Sequence, residues 1–165
     1  MTAKGKRAGP TARGEYVFRQ RFRAPADWVF RWCTTFTPTD LKAREGNLSR
    51  TVERLGPNTV RLDDVFRGPR GQRIRKVKMV QIYPDARHWV STHIAGPALH
   101  SQFRYTVLKN GRSSSSLLFE GRDLRWIGPK LSAAQNRAFS QQLCREDADL
   151  WKHFARDIAR DYAKA

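Results

Sequence analysis

Hydrophobic positions along this chain follow two rhythms, and the places where one gives way to the other set out the expected fold. From Glu15 to Arg23 the pattern alternates, with Tyr16, Phe18, Gln20 and Phe22 on one face and Val17, Arg19, Arg21 and Arg23 on the other. That period of two predicts a strand with one buried side. After Pro25 the spacing lengthens to one, three and four residues through Trp28, Val29, Trp32, Cys33 and Phe36, which predicts a short amphipathic helix. Thr37 can cap a second short helix, with Pro38 just inside it, Asp40 near its positive end and Gly46 as its stop.

From Ser49 onward, strand-like runs are separated by turn signals, as in an antiparallel meander. Gly56-Pro57-Asn58, Gly68-Pro69-Arg70-Gly71, Pro84-Asp85 and Gly96-Pro97 divide the runs, and Asn110-Gly111 predicts a type I′ hairpin before a final strand from about Ser113 to Leu124. The chain then changes period for good. Ser132 with Gln135 reads as a capping box, and no Gly or Pro follows before Ala165. Phe139, Leu143, Leu150, Trp151, Phe154, Ile158 and Tyr162 recur at helical spacing, so a long helix presents one apolar stripe. A stripe of that length needs a broad surface to cover it, and the strands before it supply one. The expected fold class is α+β: a seven-stranded curved antiparallel sheet wrapped around a long C-terminal helix, with two short helices after the first strand.

This order resembles the helix-grip fold of the START-like (SRPBCC) superfamily, which includes polyketide cyclase/dehydrase-type and lipid-transfer proteins. The opening "FRAPADWVFRWCTTF" is similar to the first strand-to-helix junction of the bacterial and archaeal cyclase-like branch. The resemblance covers residues 15–165 and implies a cavity between sheet and helix. Its superfamily is functionally diverse, so it implies no particular activity.

The sequence spans one domain's length, and residues 1–14, basic and without apolar periodicity, are expected to be a disordered tail ahead of a ligand-binding domain over 15–165. Cys33 and Cys144 lie far apart in predicted helices and read as free thiols. Nothing near the N-terminus has the apolar core of a secretory signal and no apolar run is long enough for a bilayer, so a soluble, cytoplasmic protein without a transmembrane segment is expected. The net charge of +17 is unusual, and residues 14–129 hold 21 basic against 10 acidic groups. Arg19, Arg21 and Arg23, extended by Arg61 and Arg67, would form a surface for an anionic partner such as nucleic acid, acidic lipid or an acidic protein; a merely solvated basic surface is the alternative.

Candidate chemistry is sparse. His88 and His93 fall on opposite strand faces and cannot chelate one metal from that strand, and His100 and His153 have no ligand spacing. There is no phosphate loop, nucleophile elbow or Cys-X-X-Cys, so neither a metal nor another cofactor is expected. Asp147 stands out because it lies four residues from both Leu143 and Trp151, inside the apolar arc, where a carboxylate needs a partner or water. It is a polar anchor in a cavity wall, half of an ion pair with an inward arginine, or exposed where the helix overhangs the sheet. Gln20, Asp64 and Asp123 pose the same question on strand faces, subject to register.

The aromatic residues Tyr16, Phe18, Phe22, Trp89, Phe103, Tyr105, Phe119, Trp151 and Phe154, with Gln20, His93, Leu143 and Asp147, are the candidate cavity lining. Alternation leaves open whether Trp89 with His93, or Val90 with Ile94, faces inward. The expected function is binding of a hydrophobic or amphipathic small molecule, lipid-, polyketide- or quinone-like. One alternative is an aromatase/cyclase-type enzyme using Asp147, Gln20 or Tyr105, and another is electrostatic binding of RNA, acidic lipid or an acidic protein.

Overall fold

A computed structural model describes residues 12–42, 44, 46–128 and 130–165. The elements run β1 (Ala12–Phe22), α1 (Ala26–Thr34), β2 (Asn47–Gly56), β3 (Thr59–Arg67), β4 (Arg73–Tyr83), β5 (His88–Ala95), β6 (Gln102–Lys109), β7 (Ser115–Trp126) and α2 (Ala133–Ala163). All seven strands pair antiparallel in one sheet, ordered β1-β7-β6-β5-β4-β3-β2. The chain is a meander from β2 to β7, and β1 closes onto β7 at the far edge. The tail expected at residues 1–14 lies outside the described residues as far as residue 11; Ala12, Arg13 and Gly14 open β1.

α2 runs for 31 residues, about 46 Å at ~1.5 Å per residue. The capping box forms as the sequence suggests: the Ser132 hydroxyl accepts from the Gln135 amide at 3.2 Å, and the Gln135 side chain accepts from the Ser132 amide at 2.9 Å. Its C-terminal half buries Trp151 and Ile158 against the concave face. α1 buries Val29, Phe30 and Cys33 at one end of the sheet and is tied to α2 by the Trp32 indole, which donates to Asp161 at 3.0 Å. No helix among the described residues is long and apolar enough to cross a membrane.

Three local expectations need correction. The second short helix is absent among the described residues: after α1 the chain makes successive single turns, Asp40 to Thr37, Lys42 to Thr39 and Arg44 to Leu41. The Thr37 and Asp40 signals are used, since the Thr37 amide donates to the Asp40 carboxylate at 2.7 Å, but among the described residues of this stretch only Leu41 is buried. With no apolar face to bury, nothing offsets the cost of propagating a helix. The Asn110-Gly111 turn is not type I′, because neither residue has positive φ. Lys109 pairs with Ser115, leaving a five-residue connection over 110–114. That register is fixed by the buried Ser115, whose hydroxyl donates to the Ala24 carbonyl at 2.8 Å.

Asp123, the third case, points to solvent. Gly14 pairs with Leu124 but Tyr16 pairs with Gly121, so β7 sets Arg122 and Asp123 opposite the single Glu15, one extra residue, and Asp123 takes φ 47° in this bulge. Leu124 turns inward instead. Gly121 serves the same corner, because a Cβ there would lie 3.2 Å from the Tyr16 ring. The bulge and the glycine together aim Tyr16 at the interior.

Candidate functional site

A cavity of about 610 Å³ lies between the concave face, α1, α2 and the turns that follow α1. Its size falls in the ~300–1,000 Å³ range of small-molecule sites. Alternation decides what the sheet contributes. On β5, Trp89 and His93 face inward with Ser91 between them, while Val90 and Ile94 face the opposite side. β1 adds Tyr16, β6 adds Phe103 and Tyr105, and β7 adds Phe119. From α2 come Leu143, Asp147, Trp151 and Phe154, successive turns of one stripe.

Three of the candidate lining residues lie elsewhere. Phe18 stacks on Phe119 with centroids 4.6 Å apart, Phe22 is buried against Trp151, and the Gln20 amide donates to the Arg21 carbonyl at 2.9 Å. They share the inward face of β1 with Tyr16, but the cavity ends before it reaches them. Arg19, Arg21, Arg23 and Arg67 are exposed, and Arg61 reaches Glu53 at 3.3 Å and Asp63 at 3.9 Å.

The cavity has two chemically different ends. One is aromatic: Trp89 stacks on Tyr105 at 4.8 Å, Tyr105 meets Phe119 edge-on at 5.0 Å, and Trp151 meets Phe154 edge-on at 5.2 Å. Asp147 sits beside this wall and accepts a short hydrogen bond from the Tyr16 hydroxyl. Burial pushes the Asp147 carboxyl above the usual carboxylate range, against the opposing pull of Tyr16 and of Arg44, Lys78 and Lys76. Burial and the neighbouring Asp147 push the Tyr16 phenol upward, so it stays a donor.

Among the described residues no arginine lies within ion-pair distance of Asp147, and burial disfavours its charged form. A carboxyl raised in the native state stabilises fully below its unfolded value and loses that contribution as pH rises through the native one. Asp147→Asn keeps an acceptor for Tyr16 and should leave stability at pH 7 unchanged or raised. Thermal melts at pH 4 and pH 7 check this: relative to the native protein the variant should gain stability as pH rises from 4 to 7, whatever the other groups contribute to both; a fall of several kcal/mol at pH 7 would instead reveal a cationic partner.

The other end is charged. On β3 and β4 the inward positions read Leu62, Asp64, Phe66 and Lys76, Lys78, Val80, with Asp64 paired in register to Lys76, and Lys78 to His93 across β5. Asp64 is fully buried. It accepts from the Arg50 guanidinium at 2.7 and 2.9 Å and from the Lys78 ammonium at 2.7 Å. Burial alone would raise its pKa, but the Arg50 hydrogen bonds and the Lys78 charge hold it at about 2. His93 is pulled down to about 3, first by burial and then by Lys78 and Lys76, so its ring is neutral at pH 7. Its Nδ1 and the Ser91 hydroxyl are buried without a hydrogen-bond partner among the described residues.

Asp64 and His93 at this end are among the sequence candidates; its cations, Arg44, Arg50, Lys76 and Lys78, are not. Lys76 and Lys78 had a usable signal, since they alternate with Ile74, Val80 and Ile82 on one apolar face of β4. Arg44 and Arg50 had none, because one lies among turns and the other is brought in by the register of β2 on β3.

No family model matches the sequence, and no curated protein does. Solved structures do match. A protein of Thermus thermophilus superposes with a TM-score of 0.70 at 16% identity, covering 88% of this chain and 97% of that one. The Zhui aromatase/cyclase of Streptomyces sp. R1128 gives 0.68 at 9% identity over 92% of this chain and 94% of that one. A START superfamily protein of Mycobacterium smegmatis gives 0.66 at 14% identity over 87% and 98%. At these identities the likeness is one of fold, and the fold is the START-type helix grip.

Proposed function

We propose that this protein binds a hydrophobic or amphipathic small molecule in the cavity between its sheet and α2. The observation that carries this reading is the cavity itself: about 610 Å³ walled by stacked and edge-on aromatic rings, with a few polar groups converging at one end. A domain that needed only a core would close such a space, because unfilled apolar volume forfeits packing at every wall. The START superfamily neighbour agrees with that reading at the level of fold.

The test uses N-phenyl-1-naphthylamine, an uncharged dye that fluoresces in apolar surroundings. It should bind one-to-one and accept energy transfer from Trp89 and Trp151. Ser91→Phe projects a ring from the cavity floor and breaks no hydrogen bond, since the Ser91 hydroxyl has none among the described residues. That variant should fold and lose the dye, weakening its binding by at least roughly tenfold through steric exclusion. Dye binding that ignores the added ring would place the dye elsewhere and remove the reading's support.

A second reading, an aromatase/cyclase-type enzyme, is favoured by the Tyr16–Asp147 hydrogen bond beside the aromatic wall and by the Streptomyces neighbour. A carboxyl raised by burial and held by a phenol is suited to carry a proton at an enolisable substrate. The two readings separate on whether a bound ligand returns chemically altered.

A further inference from the structure

The inward face of β4 carries two lysines where its neighbours Val80 and Ile82 are apolar, and the two are treated differently by the fold. Lys78 is neutralised by Asp64 at 2.7 Å. Lys76 is not: among the described residues no carboxylate lies within ion-pair distance, and its ammonium sits over the rings of Phe66 at 5.1 Å and Trp126 at 5.8 Å. The Arg44 guanidinium covers the same Phe66 ring at 5.3 Å. Two cations thus share one aromatic platform at the cavity wall.

Among the described residues the nearby carboxylates do not balance them. Asp64 is committed to Arg50 and Lys78, Asp40 lies 3.8 Å from Arg50, and Asp147 is bonded by Tyr16 with its charge disfavoured by burial. Alongside, on the strand paired with β4, the Ser91 hydroxyl and His93 Nδ1 are buried with no partner among the described residues. A cation removed from water without an anion is costly to keep, and burial drags Lys76 down to about 8.

We propose that the ligand of this cavity is an amphipathic organic acid, its carboxylate docked on Lys76 and Arg44 and its apolar body laid along the Trp89–Tyr105–Trp151 wall. This rests on the ligand-binding reading above and names the class of molecule that fills it. A carboxylate would give Lys76 a charge-assisted hydrogen bond and offset part of the charge it shares with Arg44, while Arg50 and Lys78 are held by Asp64. The Ser91 hydroxyl adds an uncharged donor to the same end.

Displacement of cavity-bound N-phenyl-1-naphthylamine by 2-naphthylacetic acid and by its primary amide, at pH 7 and fixed ionic strength, tests this. The two competitors share shape and differ in charge. The acid should displace the dye at a concentration at least roughly tenfold below the amide, as a charge-assisted bond in place of a neutral one requires. In Lys76→Met the preference should fall several-fold, Arg44 retaining part of it, and Lys76→Arg should restore much of it. Equal or better displacement by the amide in the native protein overturns the proposal and leaves the ligand-binding reading standing. A dye that never enters the native cavity overturns both.

Discussion

Asp64→Asn should cost about 3–5 kcal/mol, because the amide cannot balance Arg50 and Lys78, both of which lie almost out of solvent. Their side chains are 6% and 15% exposed, and Asp64 is at 0%. Each of its carboxylate oxygens is used: one takes the Arg50 Nε, and the other takes the guanidinium's second arm and the Lys78 ammonium. Replacing one partner leaves two charges in a low-dielectric wall, which is worse than never having built the cluster. The same geometry predicts acid sensitivity. A carboxyl lowered in the native state gives stability that is fully present above its unfolded value of about 3.8 and is lost as pH falls toward 2. His93 adds loss below about 6.5, since its native pKa of about 3 means that the unfolded chain takes the proton first. Denaturant melts from pH 7 to pH 3 should show the native protein weakening in two stages, and Asp64→Asn should abolish the lower one. A cost under 1 kcal/mol at pH 7 would mean that water reaches the cluster.

Ile158→Ala should cost about 2–5 kcal/mol, and Phe154→Ala distinctly less. The two residues lie four apart on the stripe of α2, yet they face different surroundings. Ile158 is 0% exposed within the core and does not line the ligand cavity, so truncation opens a void that the long helix and sheet cannot close. Phe154 is half-buried, meets Trp151 and Trp32 edge-on, and already borders the cavity. Removing its ring enlarges a space that exists. Urea midpoints of both variants, with unchanged slopes, give the comparison. Equal losses would show that the cavity wall near Phe154 is packed as tightly as the core.

The fold was legible in the sequence wherever one segment decides its own structure. Ser132 and Gln135 cap α2 locally, and no glycine or proline interrupts the stripe that follows. Strand faces were readable for the same reason: Tyr16 and Phe22 are buried, and Arg19, Arg21 and Arg23 are exposed, as period two requires. Failures arose where a second segment overrode the first. Thr37, Pro38 and Asp40 carry helix-start chemistry, but the chain around Leu41 has no face to bury. Asp123 alternates with Phe119 until a bulge opposite Gly14 and Tyr16 turns it outward.

The site divided along the same line. Its aromatic wall could be read, because large rings on apolar faces converge under a long helix. The position of Asp147 within the arc was visible, but its partner Tyr16 lies 131 residues away and could not be foreseen. The cationic end is harder to read: Lys76 and Lys78 alternate with apolar positions of β4, but a lysine stem can lie along an apolar face with its ammonium in water, so alternation alone does not place the charge inside. The register that brings Arg50 to Asp64 depends on how β2 closes on β3 through Pro57 and Asn58, which a single strand's pattern does not encode.

Native mass spectrometry of the full chain purified from its own cells tests the central claim most directly. The account predicts a retained small molecule at one per chain, lost on denaturation and recovered in the organic phase with an ionisable acidic group. Protein that emerges at its bare mass, and that also takes up neither N-phenyl-1-naphthylamine nor 2-naphthylacetic acid when these are supplied, would contradict it.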